Sequence, residues 1–252
     1  MSDKQLLDFI AERSGAGEPI SVVTRIVAGG ETHKLAVTET GDYCSSEQSV
    51  KWSAEIITAA RKSIGGRKLA SVSETLSEAG EKVTYVIDVI RPKASLVIFG
   101  AGHVGQAVAL IGALAGYDVT VVDDRDEFLS RSRLPDKQIR LTKCDFSDAV
   151  RDIRLTRNTA VVIVTRGHQY DEMCLRSVVG SDAGYIGMIG SKRRVFSVFA
   201  KLKQDGVATE ELELVHAPIG LSIGARSPQE IAVAIVAEII SVLNAGPGDG
   251  KV

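Results

Sequence analysis

The stretch that decides the fold is Ala94–Arg125, ASLVIFGAGHVGQAVALIGALAGYDVTVVDDR. Its apolar run, Leu96 to Phe99, has the length of a buried parallel strand. Gly100, Gly102 and Gly105 follow in G-x-G-x-x-G spacing. An apolar, alanine-rich helical run then extends from Val104 to Ala115, and Gly116 stops it. A second strand, Val119 to Val122, ends on Asp123, about 20 residues after the glycines. A glycine fingerprint is informative only between a strand and a helix with such an acid downstream, and that context is complete here. Gly100 would turn the chain off the strand, Gly102 would let backbone approach a pyrophosphate, and Gly105 would let helix and strand pack closely. The helix start at His103-Val104 offers free N–H groups to phosphate. Asp123 is placed to accept hydrogen bonds from a ribose diol. Glycines that serve packing alone would leave the same pattern.

Outside this unit the chain reads as an ordinary globular protein. Of its 252 residues, 44% are hydrophobic and 25% charged, and the net charge is -2. Such a balance leaves no basic footprint for nucleic acid. No apolar run is long enough to cross a membrane, and MSDKQLLDFI has no signal-peptide pattern. Cys44, Cys144 and Cys174 form no C-x-x-C pair. They argue against a disulfide framework, and a cytoplasmic setting is expected.

Downstream, strands are expected at Gln138–Leu141, Thr159–Thr165 and Tyr185–Ile189. Helices are expected from a cap at Asp145 or Ser147 through Val150, over Tyr170–Val179, and from Gly190-Ser191 to about Lys203. This alternation predicts an α/β fold with a Rossmann-like doubly wound parallel sheet of order 3-2-1-4-5. Ligands of such sheets bind beyond the carboxyl ends of the strands, where the order reverses. The topology therefore brings His103 to one lip of a crevice and Arg166, Gly167 and His168, with Asp171, to the other. Two histidines and an acid can hold a metal, move a proton, cap helices or contact phosphates and ribose. Ligand contact is favoured, and no metal site is expected, because no close ligand pair such as H-x-x-x-H is present. Lys192, Arg193 and Arg194 fall in the first turn after Ser191. There they oppose the helix dipole unless they face an anion or simply solvent.

The N-terminal part, residues 1–92, reads as a smaller α/β domain ending at Arg91-Pro92, with residues 93–252 as the second domain. Its first helix starts at Ser2 or Asp3, with Leu6, Leu7, Phe9 and Ile10 as the buried stripe. Strands follow at Ile20–Val27 and His33–Val37, joined by a Gly29-Gly30 turn. A helix from about Val50 to Lys62 and a strand at Val83–Ile90 complete it. At the other end, Val215–Arg226, VHAPIGLSIGAR, is a glycine-rich, apolar loop. Pro218 to Gly224, including Gly220, either line the crevice or clip the next helix in place. Ser227-Pro228-Gln229-Glu230 is a capping box opening a nearly all-apolar helix to Leu243. A helix apolar all round is buried or packs on a second copy of the chain, so a homodimer is one expectation.

From about Ser95 to Ile240 the chain resembles the C-terminal domain of the XdhC/CoxI family, accessory factors of xanthine dehydrogenase and related molybdenum hydroxylases. The residues that carry this are Phe99-Gly100-Ala101-Gly102-His103-Val104, Val121-Val122-Asp123 with Arg125, and Thr165 with His168 and Asp171. They continue with Tyr185-Ile186-Gly187, Ile189-Gly190-Ser191 and Arg193. Last are Ala217-Pro218-Ile219-Gly220-Leu221, Ile223-Gly224-Ala225, Ser227-Pro228 and Glu230-Ile231-Ala232. The N-terminal half departs from the family. Its G-S-x-P-R segment is replaced by Ala28-Gly29-Gly30-Glu31-Thr32, and Cys44 stands one residue too far from Glu47 for its G-G-C-x-E segment.

The resemblance implies a cofactor-binding chaperone rather than a catalyst. Such a factor binds a molybdopterin-type cofactor, assists its maturation and delivers it to an apo molybdenum hydroxylase. The residues read by themselves leave NAD and an NAD-dependent oxidoreductase open, with His168 the one credible proton donor. The expected ligand contacts are Gly100, Gly102, His103, Val104, Gly105, Asp123, Arg125, Arg166, His168, Asp171, Gly190, Ser191, Arg193, Pro218 and Gly220.

Overall fold

A computed structural model describes residues 3–27, 30–65, 72–78, 81–149 and 153–244, and for 72–78, 81, 82, 147, 149 and 168 it describes the backbone alone. Ser2, Gly29, Val150 and residues 245–252 lie outside the described residues, as do the side chains of Ser147 and His168. Two compact units result, one ending at Pro92 and the other beginning at Lys93.

In the first unit, α1 (Asp3–Gly15) is followed by β1 (Ile20–Val27), β2 (Thr32–Thr38) and β3 (Tyr43–Ser45). Then come α2 (Ala54–Gly65), β4 (Val72–Glu78) and β5 (Glu81–Ile90). The strands form an antiparallel sheet of order β3-β2-β1-β5-β4. Val23, Leu35, Val37, Val83, Tyr85 and Ile87 pack against Ile56 and Ala60 of α2. Two expectations need correction. Leu7 is 63% exposed, because it lies about 100° around the helix from Leu6, and only Leu6 is buried. Helix α2 starts at Ala54 rather than Val50, where the Ser53 hydroxyl accepts from the Ile56 N–H at 3.3 Å. Trp52 thus precedes the helix, and its Nε1 donates to Ser45 Oγ at 2.9 Å.

The second unit contains the expected sheet. Strands β6 (Ser95–Phe99), β7 (Asp118–Asp123), β8 (Arg140–Lys143), β9 (Thr159–Ile163) and β10 (Tyr185–Met188) lie in the order β10-β9-β6-β7-β8. Every pairing is parallel. Read from the β8 edge this is 3-2-1-4-5, with the reversal between β6 and β9. A short α4 (Phe146–Ala149) lies between β8 and β9. Strand parity divides the core. Leu96, Ile98, Val121, Ala160 and Val162 face α3 (His103–Leu114) and α8 (Pro228–Asn244). Val97, Phe99, Val122, Val161 and Ile163 face α5 (His168–Val178) and α6 (Lys192–Gln204). Two apolar faces explain why these strands read as unbroken Val/Ile runs rather than alternating ones.

Two glycines make the central joint possible. Gly100 has φ 111, and a Cβ there would stand 2.5 Å from the Val164 carbonyl oxygen. A Cβ on Gly105 would stand 1.8 Å from the carbonyl oxygen of Gly100. The first strand of the sheet and its helix are thus closer than any side chain permits. After β10 the chain passes α6 and a short α7 (Thr209–Glu213), and returns beside β10. There His216 bridges Gly187 in parallel, and the Ile219 N–H donates to the Met188 carbonyl at 3.0 Å. The Pro218–Gly220 segment therefore ends up at the carboxyl edge of the sheet.

Candidate functional site at the switch point

At the carboxyl edge, three loops are tied together by hydrogen bonds. The Gly100 N–H donates to the Val122 carbonyl at 2.8 Å, and the Val164 N–H to the Phe99 carbonyl at 2.9 Å. Helix α3 begins at Gly102, which has φ -68 and provides no side-chain cap. Helix α5 begins at Gly167, likewise without a side-chain cap. The first N–H groups of a helix have no intrahelical partner and carry its positive dipole end. Two such ends, from helices on opposite faces of the sheet, converge where the strand order reverses. A Cβ built on Gly102 meets no protein atom within 4 Å beyond its chain neighbours. Neither its φ nor its packing requires glycine, so the space it leaves is open to a ligand.

The acid at the end of β7 is engaged within the protein. Asp123 is 0% exposed. Its Oδ2 accepts from the Ala101 N–H at 2.7 Å and from Arg125 Nη2 at 3.0 Å. Its Oδ1 accepts from the Arg125 N–H at 3.1 Å and Nε at 2.9 Å. The bond to Asp123 raises the Arg125 guanidinium pKa, and Arg125 also lies 3.7 Å above the Phe128 ring. A ribose diol would have to displace Arg125 to reach this carboxylate. Asp123 instead fixes the glycine loop to the end of β7.

Next to it stands Asp124, for which the local sequence carries no signal. Arg166, from the loop after β9, donates to its two oxygens at 2.5 and 2.6 Å and to the Tyr170 hydroxyl at 2.6 Å. This pair joins the loops on either side of β6. The Arg166 hydrogen bond pulls the Asp124 carboxyl down to about 2, and the same bond raises Arg166. A carboxyl lowered in the folded state stabilises above its unfolded pKa near 4, and that contribution is lost as pH falls toward 2. Asp124→Asn is expected to cost about 1 kcal/mol at pH 6, a partly exposed pair being screened. Urea unfolding at stepwise lower pH checks this: the gap between variant and wild type should close between pH 4 and 2.

Asp171 is also 0% exposed. It accepts from the Thr165 hydroxyl at 2.5 Å and from Arg194 Nη2, so it ties α5 to α6. Of the three basic residues that open α6, Arg194 is therefore a bridge. Arg193 and Lys192 are exposed and have no acidic partner among the described residues. Ser191 caps α6 by accepting from the Arg194 N–H at 3.3 Å. Gly190 has φ 154 and lies against the Arg194 side chain. His103 is exposed at the start of α3, and Val104 packs partly against the α3/α8 core. His168 is the first residue of α5. Pro218 is exposed beside α6.

Gly220 has a different part. Its N–H donates to Glu238 Oε2 at 2.8 Å, and the Tyr185 hydroxyl donates to the same oxygen at 2.5 Å. His216 Nδ1 lies 3.5 Å from Glu238 Oε1, and its ring stacks on Tyr185 with centroids 4.7 Å apart. Burial raises the Glu238 carboxyl, but the bonds from His216, Tyr185 and Gly220 outweigh it and leave the pKa below its ordinary value. Burial and the carboxylate together push the Tyr185 phenol up. This cluster clips the 216–220 loop to α8, and it explains the single acid in the apolar stretch of that helix after Glu230. No group of side chains suited to a metal ion occurs among the described residues. Nor is any described helix long and apolar enough to cross a membrane.

The groups converging here are backbone N–H donors at two helix starts, a set chemically suited to an anion. Residues 96–239 match the model of the XdhC Rossmann domain. The chain is 34% identical over 172 residues to the uncharacterized protein YqeB of Escherichia coli, covering 68% of this chain and 31% of YqeB. It is 26% identical over 218 residues to a probable xanthine dehydrogenase subunit from Bacillus subtilis, covering 86% of this chain and 60% of that protein. It is 25% identical over 152 residues to the molybdenum cofactor insertion chaperone PaoD of Escherichia coli, covering 60% of this chain and 41% of PaoD. The chain thus spans about a third to three fifths of the length of these relatives. A crystal structure of a xanthine dehydrogenase from Bacillus halodurans shares the fold, with TM-score 0.70 and 23% identity over 96% of this chain and 67% of that chain. With its Rossmann domain matched over more than half its length, the chain belongs to the XdhC family.

Proposed function

We propose that this protein binds a molybdopterin-type cofactor at the switch point of its parallel sheet and assists the insertion of that cofactor into a molybdenum hydroxylase. The observation that carries the reading is the uncapped start of α3 at Gly102, with open space where a side chain would stand. The names of two relatives, a molybdenum cofactor insertion chaperone and a probable xanthine dehydrogenase subunit, supply the class of ligand and client. In this reading the backbone N–H groups at Gly102, His103 and Val104, with those opening α5, hold the phosphate part of the cofactor. The dinucleotide form of the cofactor contains a pyrophosphate, which suits such a cradle. Arg193 adds positive charge at the same edge of the sheet.

The cofactor would bring the molybdenum chemistry, and the chain's own residues bind and orient it. The chain acts as two domains, 1–92 and 93–252. A homodimer belongs to the same proposal: α3 and α8 pack together and leave Leu110, Leu114, Val233 and Ile240 exposed. The NAD-dependent oxidoreductase left open by the sequence draws no support from the relatives' names. Asp123, which would have read the ribose of NAD, is buried under Arg125.

The test is mass spectrometry of the small molecule carried by the purified protein, followed by titration of the emptied protein with molybdopterin and with NAD. Molybdopterin should be carried and rebound. NAD binding without pterin affinity would overturn the reading.

A further inference from the structure

Helix α6 has two working faces. Val195, Val198 and Leu202 are buried toward the sheet. Lys192, Phe196, Phe199 and Lys203 follow i, i+4, i+7, i+11 spacing, which keeps them on one side of a helix within about 60°. This second face is open: Phe196 is 76% exposed. Ala217 and Pro218 lie opposite it. Between the helix and those two residues runs an apolar groove of about 510 Å³, with Lys192 toward one end and Lys203 toward the other.

Charge says what the groove is suited to. Within α6, KRRVFSVFAKLKQ, there is no acid. Arg194 is matched by Asp171 and Lys201 by Asp205. Lys192, Arg193 and Lys203 have no acidic partner among the described residues. An occupant therefore carries apolar side chains flanked by carboxylates that reach lysines about 16 Å apart along the helix. A small molecule fits poorly, because binding sites bury most of a small ligand's surface and the Phe196 ring would stay wet. A polypeptide segment covers such a ring and leaves the lysines at the rim, the usual anatomy of an interface.

We propose that this groove docks an acidic–apolar segment of the hydroxylase that the protein serves; the identity of that partner rests on the function proposed above. Location supports the pairing. Lys192 opens α6 at the carboxyl edge of the sheet, and Pro218 reaches the same edge. A partner seated here lies beside the mouth through which a bound cofactor has to leave.

The experiment measures binding of the full chain to a purified apo molybdenum hydroxylase from the same organism, at low and high salt. Phe196→Ser is expected to weaken the complex about 30-fold, as loss of a central aromatic anchor does. Lys203→Glu is expected to weaken it about 10-fold at low salt and less at high salt. Both side chains are exposed, so melting temperature and molybdopterin affinity of the chain alone should stay at wild-type values. Normal hydroxylase binding by both variants, or no binding by the wild type, overturns the groove assignment. So does loss of molybdopterin affinity in both variants, which would make the groove part of the ligand site. Failure of the proposed function is separately visible, as a wild-type chain that does not bind molybdopterin.

Discussion

Gly105→Ala is expected to cost the Rossmann unit about 3 kcal/mol, a large part of the stability of an ordinary domain. The added methyl would stand 1.8 Å from the Gly100 carbonyl oxygen and 3.3 Å from Val164 Cγ2. Both obstacles belong to the central strands' own ends, and the oxygen is backbone, so no rotamer change relieves the overlap. Helix α3 would have to move away from β6, opening the core around Leu96, Ile98 and Val108. Urea denaturation gives the measurement. Gly102→Val, three residues earlier, should behave in the opposite way. Beyond its chain neighbours no protein atom lies within 4 Å of its Cβ position, and φ -68 is available to any residue. Its stability should stay within about 1 kcal/mol of wild type. Its isopropyl group would fill the space in front of the free N–H groups, and molybdopterin affinity should fall about 100-fold, the worth of two charge-assisted hydrogen bonds. If Gly102→Val binds normally, the loop does not cradle phosphate. If Gly105→Ala is as stable as wild type, the close approach of α3 to β6 is wrong.

Asp123→Ala is the second large effect, about 3 kcal/mol, since removing a buried carboxylate leaves the Ala101 N–H and the partly buried Arg125 without their acceptor. The Ala101 N–H and three donor groups of Arg125 would lose their acceptor together. Asp123→Asn is not a mild alternative. Both oxygens of the carboxylate accept only, and an amide nitrogen in either place would face an N–H donor. The two variants should therefore both lower the unfolding midpoint, with Asn intermediate. A residue that served chiefly to read a ribose diol would give the reverse result: unchanged stability and weakened nucleotide binding in Asp123→Asn.

These two residues show how legible the site was. The glycine spacing, the apolar run before it and the acid after it identified the joint, because close packing of a helix on a strand leaves a mark in residue size. The role of Asp123 was not legible in the same way. Whether a carboxylate at a strand end faces a ligand or is covered depends on Arg125, whose side chain could equally point to solvent. Asp124 carried no signal of its own, since its partner Arg166 is distant in sequence and reaches it only across the end of β6. The same holds for Asp171 with Arg194, and for Glu238 with Tyr185 and His216. In the N-terminal unit, β3 and β4 went unread. One is three residues long, and the other, VSETLSE, is a polar edge strand whose two apolar residues give no clear period.

The sequence by itself determined the doubly wound sheet, its strand order and the position of the switch point. Those follow from local properties: β-branched runs that must be covered on both faces, glycines where no side chain fits, and the right-handed crossovers that chain chirality imposes. The tertiary structure alone decided which groups are committed inside the fold and which stay exposed. Asp123, Asp171 and Glu238 are committed to partners inside the fold, whereas the free N–H groups at Gly102 and the exposed Lys192, Phe196 and Lys203 are not. The physical reason is that a buried carboxylate takes whichever donors folding brings within reach, and those come from segments far apart in the chain.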